Sequence, residues 1–350
     1  MEEGATSAES AAGCLPAGLL DRYASATRGE LTRYLTNPSV APFLDDLLAD
    51  YPGRGGKMMR PAICIANARL FGGELQSVVR CAAAVELLHN ALLIHDDIQD
   101  GSEERRGRPT LHALHGVPLA INAGDALMFT AFRPLLDAVR PCGPEVARQV
   151  IDATIEMARQ TAEGQALELG WRDNNVTGLT TADYLRMALK KTAWMGMIWP
   201  AQLGAIVGSR GRVDPARLMG FGHFLGIAFQ IEDDLRNLTA DPGYGKERGG
   251  DLFEGKRTLM LIHVREAASA AERKRIDAFL ACDRGERGRA DGQWLAELMH
   301  EKGSIAYGKR VAAAMAGCAL EEFDQAYGEC PEGEDRDFLL GLVRWIFDRK

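Results

Sequence analysis

The chain has 350 residues, of which 46% are hydrophobic and 26% are charged, so it is too apolar to be a disordered protein. Its formal net charge of -8 argues against a whole-surface attraction to nucleic acid or anionic membranes. Its seven cysteines are odd in number and form no C-x-x-C pair, which argues against a disulfide framework and a zinc site. We therefore predict a reducing, cytoplasmic environment.

The N-terminal segment, residues 1–18, has no periodic apolar pattern, and we predict that it is a mobile arm preceding a single domain over 19–350. Its first residues are acidic, whereas a signal peptide begins with basic residues. No apolar run approaches the roughly 20 residues that a membrane span needs. The strongest candidate, Trp194 to Val207, is interrupted by Pro200 and Gln202. We therefore predict no membrane span.

Apolar residues recur at spacings of three and four, as in Leu87 to Ile94, Leu185 to Met195 and Leu339 to Ile346. No segment shows the alternation of a strand, so we predict an all-α fold. Gly101 is expected to end one helix, and Thr180 with Asp183 resembles a capping box that begins another. The predicted helix breaks are 101–110, 141–144, 172–180, 239–256 and 284–293.

The first cluster of chemically active side chains is a group of aspartates at the end of an apolar helical segment. Asp96 and Asp100 are four residues apart and share one helix face, while Asp97 projects about 100° around the axis. These carboxylates repel one another, and the helix dipole disfavours anions at a C-terminal end. The cluster is therefore either a solvated helix end or a site that cations neutralise.

A second acidic cluster, Glu232 to Asp234, follows another apolar segment, Phe221 to Phe229. The recurrence of such a cluster favours a site between two helices over two unrelated helix ends. Carboxylate oxygens suit Mg²⁺, which proteins normally share with substrate phosphates. We therefore predict a magnesium site that both clusters face.

Basic residues lie near both clusters, as phosphate binding would require, although each basic segment alone is also typical of a surface loop. Arginine suits bidentate phosphate contacts, and lysine acts as a point charge. The set fits two diphosphates, only one of which touches metal. It comprises Lys57, Arg60, Arg105, Arg106, Arg108, Lys191 with Thr192, Lys246, Lys256 and Arg257.

These residues belong to a series of short motifs that follow one another over roughly residues 50–265. The motifs are Gly55-Gly56-Lys57-x-x-Arg60-Pro61, His89-Asn90, Asp96-Asp97-x-x-Asp100 with Arg105-Arg106-Gly107-x-Pro109-Thr110, Gly124-Asp125-Ala126-Leu127, Lys191-Thr192, Gln230-x-x-Asp233-Asp234, and Gly245-Lys246 to Gly255-Lys256. In this order they resemble the trans-isoprenyl diphosphate synthases, and most closely the geranylgeranyl diphosphate synthases. The resemblance implies a bundle of long helices around a deep central cavity, usually in a homodimer.

The resemblance also implies a role for each matching residue. Asp96, Asp100 and Asp233 would bind Mg²⁺, with three ions expected per active site and Mn²⁺ as a substitute. Asp97 and Asp234 would shape the site. The allylic diphosphate would be bound by Arg105, Lys191, Thr192, Gln230, Lys246 and Lys256, and isopentenyl diphosphate, without metal, by Lys57, Arg60, His89 and Arg106.

The implied reaction condenses isopentenyl diphosphate with dimethylallyl, geranyl or farnesyl diphosphate to a trans-polyprenyl diphosphate. The residues expected to carry catalysis are Asp96, Asp100, Arg105, Lys191, Asp233 and Lys256. The product would elongate past the helical turns that precede Asp96, so we expect Leu88, Ala91 and Leu92 to set its length. None of these side chains is aromatic, which argues against products of ten or fifteen carbons, and the resemblance of the second motif, with Asn237, to that of some geranylgeranyl diphosphate synthases implies geranylgeranyl diphosphate. Farnesyl or longer products remain alternatives, because Met58, Met128, Met195 or Trp194 could close the cavity and because Ala91 is small.

Two departures from the family pattern stand out. The second motif ends in Asn237, where an aspartate is more common, so metal binding is expected to be weaker there. The segment Trp194 to Pro200 is unusually bulky and either lines the cavity or packs elsewhere.

Other functions remain open. Asp233, Asn237 and Asp241 have the spacing of a class I terpene cyclase motif, but a cyclase has no use for a second diphosphate site, and Pro242 indicates the end of a helix. His89 and His95-Asp96 could bind metal in a phosphohydrolase, which would leave the second acidic cluster without a role. An inactive partner subunit is a further alternative, but no cation of the expected sites is missing.

Overall fold

The computed structural model describes residues 15–16, 18–35, 43–239 and 249–348, and these residues are almost entirely helical. Most of the predicted N-terminal arm lies outside the described residues, as do Lys246, Asp241 and Pro242. The predicted all-α fold is confirmed.

The first half of the chain forms helices α1 to α7 and one short hairpin. Their bounds are α1 (Leu19–Leu35), α2 (Asp45–Gly53), α3 (Met59–Leu70), α4 (Leu75–Asp100), β1 (Glu104–Arg105), β2 (Arg108–Pro109), α5 (Leu111–His115), α6 (Val117–Thr130) and α7 (Phe132–Val139). The sequence did not predict the hairpin. Its two antiparallel strands pair Glu104 with Pro109 and Arg105 with Arg108, inside the predicted break 101–110.

The second half contains the remaining helices, with short 3₁₀ turns at Arg140–Cys142, Pro215–Leu218 and Arg284–Glu286. Their bounds are α8 (Pro144–Asp173), α9 (Thr181–Ala188), a π-helix (Leu189–Ile198), α10 (Trp199–Gly208), α11 (Met219–Thr239), α12 (Gly250–Glu254), α13 (Leu259–Ala267), α14 (Ala270–Ala281), α15 (Arg289–Glu301), α16 (Ser304–Tyr327) and α17 (Glu334–Asp348).

Both helix-end signals in the sequence are confirmed. Gly101 follows the last residue of α4 with φ of 61°, a left-handed conformation that glycine adopts without steric cost. At the start of α9, the Thr180 hydroxyl accepts a hydrogen bond from the Asp183 backbone N–H, and the Asp183 carboxylate accepts one from the Thr180 N–H.

Helix α4 lies at the centre of the bundle. Among the described residues, α4 is the one helix that is long and apolar enough to cross a membrane, with a mean hydropathy of 1.5 in its most apolar window. However, 72% of that window is buried inside the protein. The most apolar long segment is therefore α4 rather than the expected Trp194 to Val207. Its burial explains its apolar character as that of a core helix.

The bulky segment Trp194 to Pro200 packs inside the bundle. The Trp199 side chain is fully buried, and its indole N–H donates a hydrogen bond of 3.2 Å to the Thr154 hydroxyl of α8. Met195 lines the central cavity, whereas Trp194 borders a separate depression beside Arg212. The segment therefore contributes mainly to packing between α8, α10 and α11.

The π-helix is held between two glycines of neighbouring helices. A Cβ atom at Gly164 of α8 would lie 2.2 Å from the Lys191 backbone nitrogen, and one at Gly226 of α11 would lie 2.4 Å from the Ala193 Cα. Only glycine permits these approaches. The π-helix is wider than an α-helix, and such segments are often found at functional sites. Here it brings Lys191 and Thr192 to the central cavity.

Candidate active site

A cavity of about 670 Å³ opens between α4, α8, the π-helix and α11. Its apolar part is lined by Leu88, Leu92, Met128, Met157, Met195 and Phe229. Its polar part contains most of the predicted site residues, namely Arg60, His89, Asp96, Arg105, Lys191, Thr192, Gln230, Asp233 and Lys256. The fold therefore brings together, at one end of an apolar cavity, side chains that are far apart in the sequence.

Three carboxylates converge at the polar end of the cavity. Oxygen atoms of Asp96 and Asp100, on one face of α4, and of Glu168 on α8 lie within 4.8 Å of one another. Hard oxygen ligands at this spacing suit a divalent cation such as Mg²⁺ or Ca²⁺. No histidine belongs to this group, which is the one three-residue cluster with metal-ligand spacing among the described residues. It therefore does not support the phosphohydrolase alternative.

Two lysines neutralise this cluster. The Lys191 ammonium group contacts Glu168 and lies 3.3 Å from Asp96, and the Lys256 group lies 2.7 Å from Asp100 and 2.8 Å from Glu254. Burial alone would lower the pKa of both lysines, but the surrounding carboxylates outweigh it and raise each pKa above its ordinary value. Both lysines are therefore cationic at neutral pH and placed to meet an anionic substrate.

Cations also stabilise the acidic C-terminal end of α4. Arg172 donates hydrogen bonds to the Asp100 carboxylate at 3.1 Å and to the Gln99 carbonyl at 2.8 Å, and Arg284 donates to the Asp100 carbonyl. These contacts satisfy carbonyls that have no partner within the helix and offset the unfavourable dipole. The acidic helix end is thus neutralised by protein cations from distant helices.

Asp97 points away from the carboxylate cluster, as the helix geometry predicts. It is fully buried, accepts a 2.6 Å hydrogen bond from the Tyr51 hydroxyl, and forms a bidentate ion pair with Arg105. The Arg105 guanidinium also lies 3.7 Å from Asp96. Asp97 therefore orients an arginine of the hairpin toward the cavity.

The second acidic cluster divides in a similar way. Asp233 lines the cavity, while the buried Asp234 accepts hydrogen bonds of 2.7 Å from both the Tyr184 hydroxyl and the Gln230 amide. Burial, together with the nearby Asp251 carboxylate, raises the pKa of Asp234 well above its ordinary value. Gln230 also accepts a hydrogen bond from the Thr192 hydroxyl, which links α11 to the π-helix.

Asn237, at the end of the second motif, has a structural partner. Its side chain is buried, and its amide oxygen accepts a 3.1 Å hydrogen bond from the Asp251 backbone N–H at the start of α12. The Asn237 backbone carbonyl accepts a second bond from the Gly249 N–H. The amide oxygen therefore holds the segment that carries Lys256, and Asn237 is not among the described residues that line the cavity.

The residues predicted to bind isopentenyl diphosphate divide into two that line the cavity and two that do not. His89 and Arg60 line the cavity. Lys57 and Arg106 are not among the described lining residues; Lys57 lies over the Trp345 ring at 5.3 Å, and Arg106 donates to the Gly55 carbonyl. Burial, with the neighbouring Arg60 and Arg106 charges, lowers the pKa of His89 well below its ordinary value. His89 is therefore a neutral hydrogen-bonding group beside several arginines.

The three predicted chain-length residues differ in position. Leu88 and Leu92 line the cavity, but Ala91 is fully buried and is not among the described lining residues. Leu88 and Met157 each lie eight residues before a polar-end residue, Asp96 and Gln165 respectively, and therefore about 12 Å along their helices. These side chains, with Met128, line the apolar part of the cavity.

Residues of α8 that the sequence analysis missed complete the polar end. Gln165 donates to Asp96 at 3.2 Å, Glu168 joins the carboxylate cluster, and Arg172 binds Asp100. Their spacings of three and four place them on one helix face, which is a usable signal. However, α8 is polar on its exposed face too, so the pattern did not distinguish these side chains from solvated ones.

An all-helical bundle with a carboxylate cluster, converging cations and an apolar cavity defines a class of enzyme that binds an anionic, metal-associated head group with an apolar chain. Comparisons with known proteins identify the family. The sequence profile described as polyprenyl synthetase matches residues 41–298. The chain belongs to this family and is a trans-prenyltransferase.

Individual relatives agree with this assignment. The short chain isoprenyl diphosphate synthase of Methanothermobacter thermautotrophicus is 32% identical over 85% of this chain and 87% of its own length. The geranylgeranyl diphosphate synthase of Methanosarcina mazei is 33% identical over 85% of this chain and 86% of its own. The structure of geranylgeranyl pyrophosphate synthase from Corynebacterium glutamicum, in complex with isoprenyl diphosphate and magnesium, has a TM-score of 0.85 and 26% identity, covering 95% of this chain and 99% of its own.

Proposed function

We propose that this prenyltransferase condenses isopentenyl diphosphate with dimethylallyl, geranyl and farnesyl diphosphates, and that its main product is geranylgeranyl diphosphate. The observation that carries the proposal is the group of Asp96, Asp100 and Glu168 at the polar end of an apolar cavity. The relative from Methanosarcina mazei, named as a geranylgeranyl diphosphate synthase, supports the same product.

Mg²⁺ is the proposed cofactor, with three ions per active site. Asp96, Asp100 and Glu168 would hold it on one side of the cavity and Asp233 on the other, and their oxygen donors fit a hard cation. When bound, Mg²⁺ would stabilise the negative charge that develops on the departing diphosphate. The magnesium in the Corynebacterium glutamicum complex supports this choice.

The protein's own residues would assist the reaction by placing positive charge around the leaving group. Arg105, Lys191 and Lys256 converge on the polar end, where they can bind the allylic diphosphate as charge builds up in the transition state. Arg60 and the neutral His89 would orient isopentenyl diphosphate beside it, with further positive charge from Lys57 and Arg106.

The apolar walls would protect the reacting carbon from water. Leu92, Met195 and Phe229 line the region next to the polar end, so a carbocation formed there would meet few water molecules. The double bond of isopentenyl diphosphate would then attack the allylic carbon, and loss of a proton from the condensed product would restore a double bond. The released diphosphate, an anion held beside the same carbon, would accept this proton.

The proposed function is tested by assay of the purified chain with Mg²⁺, isopentenyl diphosphate and each allylic diphosphate, followed by chromatography of the dephosphorylated alcohols. We expect geranylgeraniol as the main product. A shorter or longer alcohol would overturn the proposed chain length but not the reaction. A cyclic hydrocarbon would support the cyclase alternative, and the absence of any product would contradict the proposed function.

The proposed length is tested separately by Leu92→Phe. Leu92 lines the cavity about 6 Å from Asp96 along α4, so an aromatic ring there should shorten the main product by at least one isoprene unit. The control is Leu320→Phe, because Leu320 is an exposed residue of α16. An active Leu92→Phe enzyme with an unchanged product distribution would show that the chain does not pass this side chain.

A homodimer in the cytoplasm is the proposed state of the protein. Val117, Ile121 and Phe129 of α6 are exposed by 45%, 42% and 73%, an unusual exposure for large apolar side chains on one helix. A second copy of the chain would cover them. Size-exclusion chromatography with light scattering should give twice the mass of the chain, and a monomeric mass at micromolar concentration would contradict the dimer.

A further inference from the structure

The end of helix α2 binds the hairpin that carries two of the predicted substrate-binding arginines. Arg54, directly after α2, donates hydrogen bonds of 3.2 Å and 3.3 Å to the carbonyls of Arg105 and Arg108, and one of 2.8 Å to the carbonyl of Pro109. Its side chain has no exposed surface, and its Nε lies 2.5 Å from the Asp50 carboxylate. A single planar guanidinium thus spans both strands of the hairpin.

Tyr51, three residues before Arg54, contacts the carboxylate that binds the Arg105 side chain. Its hydroxyl donates to Asp97, which in turn forms the bidentate ion pair with Arg105. The Arg54 guanidinium lies 4.4 Å from the centre of the Tyr51 ring, so the two side chains support each other. Both the backbone and the guanidinium of Arg105 are therefore attached to α2.

Arg106 is attached to the segment that follows α2. It has φ of 55°, a backbone conformation that is costly for a residue other than glycine, and its side chain donates to the Gly55 carbonyl. A Cβ atom at Gly56 would lie 3.0 Å from this guanidinium, so glycine leaves room for it. The α2 end thus meets both arginines of the hairpin, each proposed to bind a different diphosphate.

We propose that Tyr51 and Arg54 are positioning residues that hold Arg105 and Arg106 in place for the two diphosphates. This inference rests on the proposed function. Neither residue is among the described residues that line the cavity. Arg54 acts on both arginines through the hairpin backbone, whereas Tyr51 acts on Arg105 alone through Asp97. Misplacing a binding group by a small distance weakens the binding of a rigid anion without changing the chemistry of the other groups.

The first test is Arg54→Lys, which keeps the charge and can keep the ion pair with Asp50, but cannot span three carbonyls with one ammonium group. We expect KM to rise about fivefold to tenfold for both isopentenyl and allylic diphosphates, with a smaller change in kcat. The matched control is Arg275→Lys. Arg275 of α14 also pairs with a carboxylate, Asp291 at 2.7 Å, and lies over an aromatic ring, that of Trp294 at 3.9 Å. It is not among the described residues that line the cavity, so both KM values should stay within about twofold.

The second test is Tyr51→Phe, which keeps the buried ring and removes only the hydroxyl. We expect KM for the allylic diphosphate to rise about threefold to tenfold, while KM for isopentenyl diphosphate stays within about twofold. A purely structural role would lower the melting temperature or the active fraction, and would therefore reduce kcat without separating the two substrates.

Direct binding separates this inference from the proposed function. The Kd of inorganic pyrophosphate with Mg²⁺, measured by calorimetry on the full chain, should be higher for Tyr51→Phe and Arg54→Lys than for wild type or Arg275→Lys. An inactive wild-type chain would contradict the proposed function while this measurement still decided the positioning roles. Unchanged KM values and an unchanged pyrophosphate Kd in folded variants would overturn the inference, as would equal effects of Arg54→Lys and Arg275→Lys.

Discussion

The two acidic clusters of this enzyme share one arrangement of adjacent aspartates and differ in which groups balance the buried carboxylate. In each pair of adjacent aspartates the first faces the cavity and the second is buried against a tyrosine hydroxyl: Asp96 and Asp97 with Tyr51, and Asp233 and Asp234 with Tyr184. Asp97, however, pairs with the Arg105 cation, whereas the hydrogen-bond donors to Asp234 are the neutral Tyr184 and Gln230.

The last residues of the two motifs, Asp100 and Asn237, also differ in what they contact. Asp100 joins Asp96 and Glu168 in a carboxylate cluster, while the Asn237 amide oxygen binds the backbone of α12. Similar sequence motifs therefore serve different purposes: the first supplies most of the proposed metal ligands, and the second supplies Asp233 together with a structural support for the Lys256 segment. A motif at the end of a helix acquires its role from the helix that packs against it.

The largest expected effect is common to both clusters. Asp96→Ala and Asp233→Ala should each lower turnover by at least about 10²-fold, chiefly in kcat, because both carboxylates would hold metal that stabilises the transition state. The measurement is steady-state kinetics at saturating substrates and Mg²⁺, with the exposed Asp152→Ala of α8 as a control. Near-normal kcat in either variant would remove that cluster from the metal site.

A second prediction concerns the carboxylate that only the first cluster gains from α8. Glu168→Gln should raise the Mg²⁺ concentration for half-maximal rate about tenfold, because a neutral amide is a weaker ligand than a carboxylate. Glu163→Gln is the matched control, since Glu163 lies on the same helix and pairs with Lys190 outside the cluster. The same Mg²⁺ dependence in both variants would show that Glu168 serves only to hold Lys191.

The buried aspartates should respond oppositely to neutralisation. Asp97→Asn should lower the melting temperature by several degrees, because it leaves Arg105 without its carboxylate. Asp234→Asn should leave it unchanged or raise it by about 2 °C at pH 7.5, because an uncharged amide avoids the burial of an anion.

The pH dependence of the melting temperature of Asp234→Asn tests the direction of the Asp234 pKa shift. Because the pKa of Asp234 in the folded protein is raised, its contribution to stability is present below the unfolded pKa of about 4 and is lost as pH rises through the folded value. The difference in melting temperature between variant and wild type should therefore grow from pH 5 to pH 7.5, measured with EDTA. A difference that shrinks over this range would contradict the raised pKa.

The smallest effect is expected at the third position of the second motif. Asn237→Asp should change kcat and the Mg²⁺ requirement by less than about threefold, because the side chain faces the backbone of α12 rather than the cavity. Asn237→Ala should instead lower the melting temperature, since it leaves the Asp251 N–H without its side-chain acceptor. A tenfold lower Mg²⁺ requirement in Asn237→Asp would show that this position binds metal.

Local patterns in the sequence accounted for much of the fold and part of the site. The spacing of Asp96 and Asp100 predicted a shared face, Gly101 predicted a helix end and Thr180 predicted a helix start, and the structure agrees with all of them. These features depend on backbone geometry within a few residues, which is similar in every helix.

Features that depend on facing helices were not predictable in the same way. Glu168 and Arg172 belong to the site only because α8 packs beside the end of α4. Ala91 and Leu92 are neighbours in the chain, yet only Leu92 lines the cavity, because the two side chains point about 100° apart on the same helix.

The sequence by itself determined the helical fold class, the helix end at Gly101, the helix start at Thr180 and the two acidic clusters, because each of these follows from the short-range periodicity and capping of the backbone. The tertiary structure alone decided which members of the clusters meet. That outcome depends on close approaches such as Gly164 to Lys191 and Gly226 to Ala193, which align α8, the π-helix and α11. Electrostatic partners separated by tens of residues become neighbours only when such contacts set the distances between helices.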